Sequence, residues 1–178
     1  MTSAETTAPD IRTERLRLRR PRAADAPAIA RHANDYAVAS MTTRMPFPYE
    51  LADAKVFVAL CREMDPAQQA TFAIEHKDAG VIGCLGFHRN GEAPLEIGYW
   101  LGRPYWGRGL ATEAARAAVD WAHRDWGRRM IVSGHFEDNA ASAGVLIKAG
   151  FLYTGEVQRR FSRTRSAEVP TRMMVSLA

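Results

Sequence analysis

The segment 95–113, LEIGYWLGRPYWGRGLATE, brings several chemically capable residues together. A strand pattern runs into a turn holding Gly107 and Gly109 and then straight into an Ala-rich helix pattern. Glycine lets a backbone approach a ligand closely, and a helix start presents unpaired N–H groups. The helix dipole adds partial positive charge there, so an anion such as a pyrophosphate is a natural guest. Arg103 and Arg108 stand in the same turn. The segment lacks the third glycine of G-x-G-x-x-G and the G-K-[ST] of a P-loop. A glycine at a strand–helix junction also often serves only the turn. A second candidate is Asn139, before the helix pattern that holds Ser142. Capping alone accounts for the asparagine, but it does not demand a serine at 142.

The elements that must position these residues follow from periodicity. Residues 11–20 read as a strand in which Arg15, Arg17 and Arg19 form a wet face between Leu16 and Leu18. A helix runs from about 25 to 33, residues 34–48 are mixed, and 50–64 has helical spacing until Asp65-Pro66 stops it. Strands are expected over 71–76, 81–88 and 95–101, the last after an Asn90-Gly91 turn. A long helix follows over 107–126, a strand over 130–136, a helix over 139–149, and strands over 151–157 and 172–177. Residues 1–10 read as a loose tail and 11–178 as one domain. The expected fold is α/β or α+β, with three layers: helices on both faces of a mixed sheet of about seven strands.

Composition sets the outer bounds. A chain of 178 residues with 47% hydrophobic and 25% charged residues is an ordinary globular domain. No apolar stretch approaches the ~20 residues of a membrane span, and no secretory signal pattern opens the chain. The two cysteines, Cys61 and Cys84, form no paired motif and fit free thiols in the cytoplasm. The five histidines show no metal spacing. The net charge of +4 is carried by arginine, clustered at 12–22 and 159–165. Such clusters attract phosphates, but the strand alternation favours a solvated face over nucleic-acid binding.

The stretch from Glu96 to about Gly155 resembles the GNAT superfamily of acetyl-CoA-dependent N-acetyltransferases. It looks closest to the branch that acetylates N-terminal alanines of ribosomal proteins. The resemblance rests on Glu96-Ile97-Gly98-Tyr99-Trp100-Leu101, the run Trp106 to Ala114, Asn139-x-x-Ser142 and Lys148-Ala149-Gly150-Phe151, with Thr13-Glu14-Arg15-Leu16-x-Leu18-Arg19 matching the first strand. It implies a GNAT-type fold whose fourth and fifth strands splay apart to admit the cofactor. It also implies that Tyr99, Trp100, Leu101, Arg103, Trp106, Gly107, Arg108, Gly109, Leu110, Ala111, Thr112, Asn139, Ser142 and Lys148 contact acetyl-CoA. Two departures stand out. Pro104 replaces the usual Gln or Arg at the head of the cofactor turn. Leu146 stands where many members carry a tyrosine acid, which leaves Ser142 for that role, as is suggested for the ribosomal branch.

The implied reaction is direct attack of a primary amine on the thioester, with no metal and no covalent intermediate. The amine must be neutral. An N-terminal amine has a pKa near ~8 and a lysine near ~10.4, so a proton has to leave. A strand carboxylate can take it through a water, and Glu96 is the candidate. On that strand Glu96, Gly98 and Trp100 share one face, and Ile97, Tyr99 and Leu101 the other. The plainer reading of Glu96 is a strand glutamate facing water or an arginine. A backbone N–H near Tyr99 to Leu101 would meet the oxyanion. The aromatics at 99, 100, 105 and 106 fit the acceptor mouth or, equally, core and rim. Lys148 fits a phosphate contact or a solvated lysine at a helix end. The segments 34–64 and 159–170 would shape the acceptor pocket. The expected partners are acetyl-CoA and an amine, in a monomer or homodimer. The rival readings are a non-catalytic CoA-binding sensor and a basic ribosome-associated binder.

Overall fold

Ile11 is out of step with Leu16 and Leu18, and this parity break marks a turn. In the computed structural model, which describes residues 9–178, the strand expected over 11–20 is a hairpin. β1 (Ile11–Arg12) pairs antiparallel with β2 (Leu16–Arg19), setting Ile11 opposite Leu18. Thr13 closes the turn, its N–H and hydroxyl both donating to the Leu16 carbonyl at 2.9 and 3.1 Å. Of the tail expected over 1–10, residues 1–8 lie outside the described residues, and Asp10 accepts from Arg17 at 2.5 Å.

The remaining elements are α1 (Ala26–Ala33), the short α2 (Tyr36–Ala39), α3 (Leu51–Glu63), β3 (Ala70–His76), β4 (Gly80–His88), β5 (Glu96–Leu101), α4 (Leu110–Arg124), β6 (Met130–Phe136), α5 (Ala140–Lys148), β7 (Leu152–Ser162) and β8 (Ala167–Leu177). The strands form one eight-stranded sheet in the order β1-β2-β3-β4-β5-β6-β8-β7. That is one more strand than the sequence pattern suggests, because the first pattern folds back on itself. The loop expected over 159–170 is instead the β7–β8 hairpin, whose paired backbone carries its charged side chains on an edge strand.

The sheet has two dry faces. Leu18, Phe72, Ile74, Leu85, Phe87 and Ile97 pack against α4 and Leu146 of α5. Ala73, Val81 and Cys84 pack against α1 and α3 on the other side. Alanines 114, 118 and 122 let α4 lie close on the sheet. The arginines near the start are tie-points rather than one wet face. Arg19 is only 5% exposed and holds both Asp25 and Glu75, while Arg20 donates to the Cys61 and Arg62 carbonyls. Cys61 and Cys84 are buried free thiols; burial pushes Cys61 up to about 11 and holds Cys84 well above the ordinary thiol value, so neither is a ready nucleophile. Among the described residues no helix is long and apolar enough to cross a membrane.

All strand pairs are antiparallel except β5 with β6. That parallel pair keeps a single register position, Glu96 with Val132. Val132 N–H donates to the Leu95 carbonyl at 2.8 Å, and the Ser133 hydroxyl donates to Ile97 at 3.0 Å. Beyond that point the two strands part. Each keeps a full ladder on its outer side, β5 with β4 and β6 with β8, so parting sacrifices only the inner bonds.

Candidate active site

The gap between β5 and β6 opens onto the start of α4. Gly107 and Gly109 have φ of +70° and +74°, the left-handed region in which any side chain is strained. The helix expected from 107 therefore begins at Leu110, with Gly109 as its N-cap and no side-chain cap. The first helical bond runs from Glu113 N–H to the Gly109 carbonyl at 3.0 Å. The N–H groups of Leu110, Ala111 and Thr112 are thus left for a ligand.

The turn is gripped from the far end of the chain. Arg15 donates to the Arg108 carbonyl at 2.9 Å and to Glu113 at 2.7 Å, and Thr13 donates to Glu113 at 2.6 Å. Burial pushes the Glu113 carboxyl up, but the hydrogen bonds from Thr13 and Arg15 hold it below the usual range. Arg103 is engaged elsewhere, pairing at 2.8 Å with Asp35, which caps α2. The Trp106 indole donates to the Leu101 carbonyl at 2.8 Å.

Backbone direction in the gap follows from alternation. The Leu95 and Ile97 carbonyls point toward β6, so the backbone groups of Tyr99 and Leu101 point the same way, into the open part. With the Leu101 carbonyl taken by Trp106, the N–H groups of Tyr99 and Leu101 remain. The Tyr99 side chain crosses to α5, its hydroxyl 3.0 Å from Ser142 Oγ. Burial pushes Tyr99 up to about 12, so it stays protonated at working pH. Asn139 caps α5 by accepting from Ser142 N–H at 3.1 Å. Ser142 is therefore fixed on two sides, and Leu146 is fully buried in the core. Lys148 is exposed at the end of α5.

On the opposite sheet face, Glu96 meets an arginine. Arg160 of β7 donates to both carboxylate oxygens, at 2.5 and 3.1 Å, while Gln158 accepts from Arg160 at 2.9 and 3.0 Å. His88 is the cross-strand partner of Glu96, half-buried, and its imidazole has no hydrogen-bond partner among the described residues. Burial, then the Arg44 charge and, against Glu96, that of Arg160 hold its pKa below the ordinary histidine value. The segments 34–64 and 159–170 meet beside this group. Ser162, Arg163, Thr164 and Arg165 of the hairpin tip donate to the carbonyls of Thr42, Thr43, Met45 and Ser40.

The α4 turn, the β5–β6 gap, the start of α5 and the Glu96–His88–Arg160 group open onto one cleft of about 1390 Å³. It is lined by the sequence candidates Glu96, Tyr99, Trp100, Leu101, Trp106, Gly107, Gly109, Leu110, Ala111, Thr112, Asn139, Ser142 and Lys148; Arg103 and Arg108 are not in its wall. His88, Arg160 and Arg15 are the functional candidates that sequence reasoning missed. Among the described residues no three His, Cys, Asp or Glu side chains gather as metal ligands.

The family described as Acetyltransferase (GNAT) domain matches residues 15–152. The uncharacterized N-acetyltransferase p20 of Bacillus licheniformis is 31% identical over 149 residues, 80% of this chain and 82% of p20. Among solved structures, the microcin C7 self-immunity acetyltransferase MccE, in complex with acetyl-CoA and AMP, superposes with a TM-score of 0.80 at 18% identity, over 93% of this chain and 94% of MccE. The ribosomal-protein-S5-alanine acetyltransferase of Vibrio fischeri does so at 0.80 and 19%, over 95% and 96%. At such identities the structural likeness is one of fold.

Proposed function

The chain belongs to the GNAT acetyltransferase family, and from that premise we propose that it moves an acetyl group from acetyl-CoA to a primary amine by direct attack. The observation that carries this is the left-handed Gly107–Gly109 turn, which aims the unpartnered N–H groups of Leu110, Ala111 and Thr112 into the cleft. A pyrophosphate would sit there, with Trp106 at its flank and Arg108, outside the cleft wall, in the same turn. Tyr99, Trp100, Leu101 and Asn139, which line the gap, would run along a pantetheine arm, and Lys148 would meet a further phosphate. Arg103 would join them only by leaving Asp35. MccE, on the same fold, holds acetyl-CoA, which supports the reading.

Acetyl-CoA supplies the acetyl group as a thioester. The amine nitrogen bonds to the carbonyl carbon, the C–S bond breaks, and the sulfur leaves as thiolate. The N–H groups of Tyr99 and Leu101 would stabilise the oxyanion. Glu96, oriented by Arg160, would take the amine's proton through a water. Ser142 would return a proton to the thiolate, resupplied by the Tyr99 hydroxyl behind it. A second reading gives the first proton to His88, because its imidazole is unpartnered while both Glu96 oxygens are engaged. The two buried, unpaired cysteines suit a cytoplasmic setting.

The test is thiol release from acetyl-CoA with a panel of amines, including peptides that begin with alanine or serine. Release that depends on amine is expected. Tight acetyl-CoA binding with no release on any amine would replace this reading with a non-catalytic CoA-binding protein.

A further inference from the structure

The charges lining the cleft leave an uneven remainder once partners are assigned. Its carboxylates among the described residues are Glu96 and Asp138. Glu96 is held by Arg160, and Asp138 by Arg165 at 2.7 and 3.2 Å. Neither is free to receive an ammonium group. Among the cations, Lys148 lies on the α5 side, and Arg44 lies on the side of Glu96 and His88. Arg44 has no carboxylate at ion-pair distance among the described residues.

Arg44 is not a side chain on a free loop. The carbonyls before it, of Thr42 and Thr43, accept from Ser162 and Arg163 at 3.1 and 2.9 Å, and the carbonyl after it, of Met45, accepts from Thr164 at 2.8 Å. The hairpin tip therefore fixes the backbone from which this exposed side chain reaches along the cleft wall. An unpaired cation on an anchored backbone at the cleft wall favours an anion and disfavours a second cation.

Resting on the acetyl-transfer reading, we propose that the acceptor is an amine that also carries an anionic group, carboxylate or phosphate, and that Arg44 binds that group. The same cation discourages an ammonium in the cleft, which favours the neutral, nucleophilic amine and rejects polycationic amines. The setting already acts on His88, whose protonation is opposed by burial and by Arg44, with Arg160 adding to it and Glu96 against.

The experiment uses the full chain and the peptides Ala-Xaa-Ala-amide, with Xaa aspartate, phosphoserine, asparagine or lysine. Thiol release gives kcat/KM, and calorimetry with CoA present gives Kd. Both should favour the acidic peptides over the asparagine peptide by about tenfold, the size of one charge-assisted hydrogen bond, with lysine weakest. Aspartate against phosphoserine separates the two anion sources. R44Q should bring the acidic-to-neutral ratio toward one, and R44E should invert it. A ratio near one in the unaltered chain, a ratio untouched by both variants, or no measurable binding of either acidic peptide overturns the proposal. Charge preference in binding without thiol release would sink acetyl transfer and leave the anion site standing.

Discussion

Glu96 and His88 face each other across β4 and β5, yet their surroundings prepare them differently. Glu96 has two charge-assisted hydrogen bonds to give up or share before it can take a proton, whereas the imidazole has none. Glu96→Gln keeps the volume and removes the charge. It should lower kcat by ~10²-fold, leave acetyl-CoA affinity unchanged, and lose less at high pH, where the amine is already neutral. His88→Gln tests the other route through the pH profile of kcat/KM. A lowered pKa keeps the imidazole neutral until the pH falls below the ordinary ~6.5, so its acidic limb should lie under that value and vanish in the variant. A mild Glu96→Gln effect with that limb lost would assign the proton to His88. The family resemblance and the need to deprotonate the amine singled out Glu96 in the sequence, and strand alternation gave its face. Its partner Arg160 was not legible there, because the pair is 64 residues apart and periodicity carries no information across a sheet.

The α4 turn shows what an element adds to its residues. Gly107 has open space where a Cβ would sit, so a side chain there meets no protein atom within 4 Å. It would instead strain a φ of +70° by ~1–2 kcal/mol and project where the ligand must lie. Gly107→Val should weaken acetyl-CoA binding by at least ~10-fold, or about 1.4 kcal/mol, in a folded protein. Unchanged affinity by calorimetry would remove the turn from the site. The turn and the Asn139 cap could be read from sequence because both are local: glycine spacing in one, an asparagine three residues before Ser142 in the other. The grip of Arg15 and Thr13 on Glu113 could not, since it joins the first hairpin to α4. Nor could the β7–β8 tip, whose polar residues read as a solvated loop but hydrogen-bond to residues 40–45.

Across the molecule, the arginines that gave the chain its basic cast are spent largely on joining elements. Arg19 is the clearest case. It ties β2 to β3 through Glu75 and to the turn before α1 through Asp25, and both it and Asp25 are buried. Removing one partner of such a pair leaves the other charge uncompensated, at about 3–5 kcal/mol. Arg19→Met, similar in length but uncharged, should therefore cost about 3 kcal/mol near pH 7. The sign of the pH dependence follows from Asp25. Burial pushes its carboxyl up, but the hydrogen bonds from Arg19 and the Arg22 backbone outweigh this and hold it low, and Arg19 lowers Glu75 likewise. A lowered carboxylate pKa gives stability that is complete above the ordinary ~3.9–4.3 and is lost as pH falls through the folded value. Without Arg19, burial of Asp25 is opposed only by the Arg22 backbone bond and charge, so its pKa rises and the variant gains less stability than the unaltered chain as pH climbs from acid toward neutral. The gap between the two proteins should then be widest near pH 7 and narrow steadily below pH ~4. Urea unfolding followed by tryptophan fluorescence at several pH values measures it. A gap that stays constant with pH would mean that Arg19 acts through its packing rather than its charge.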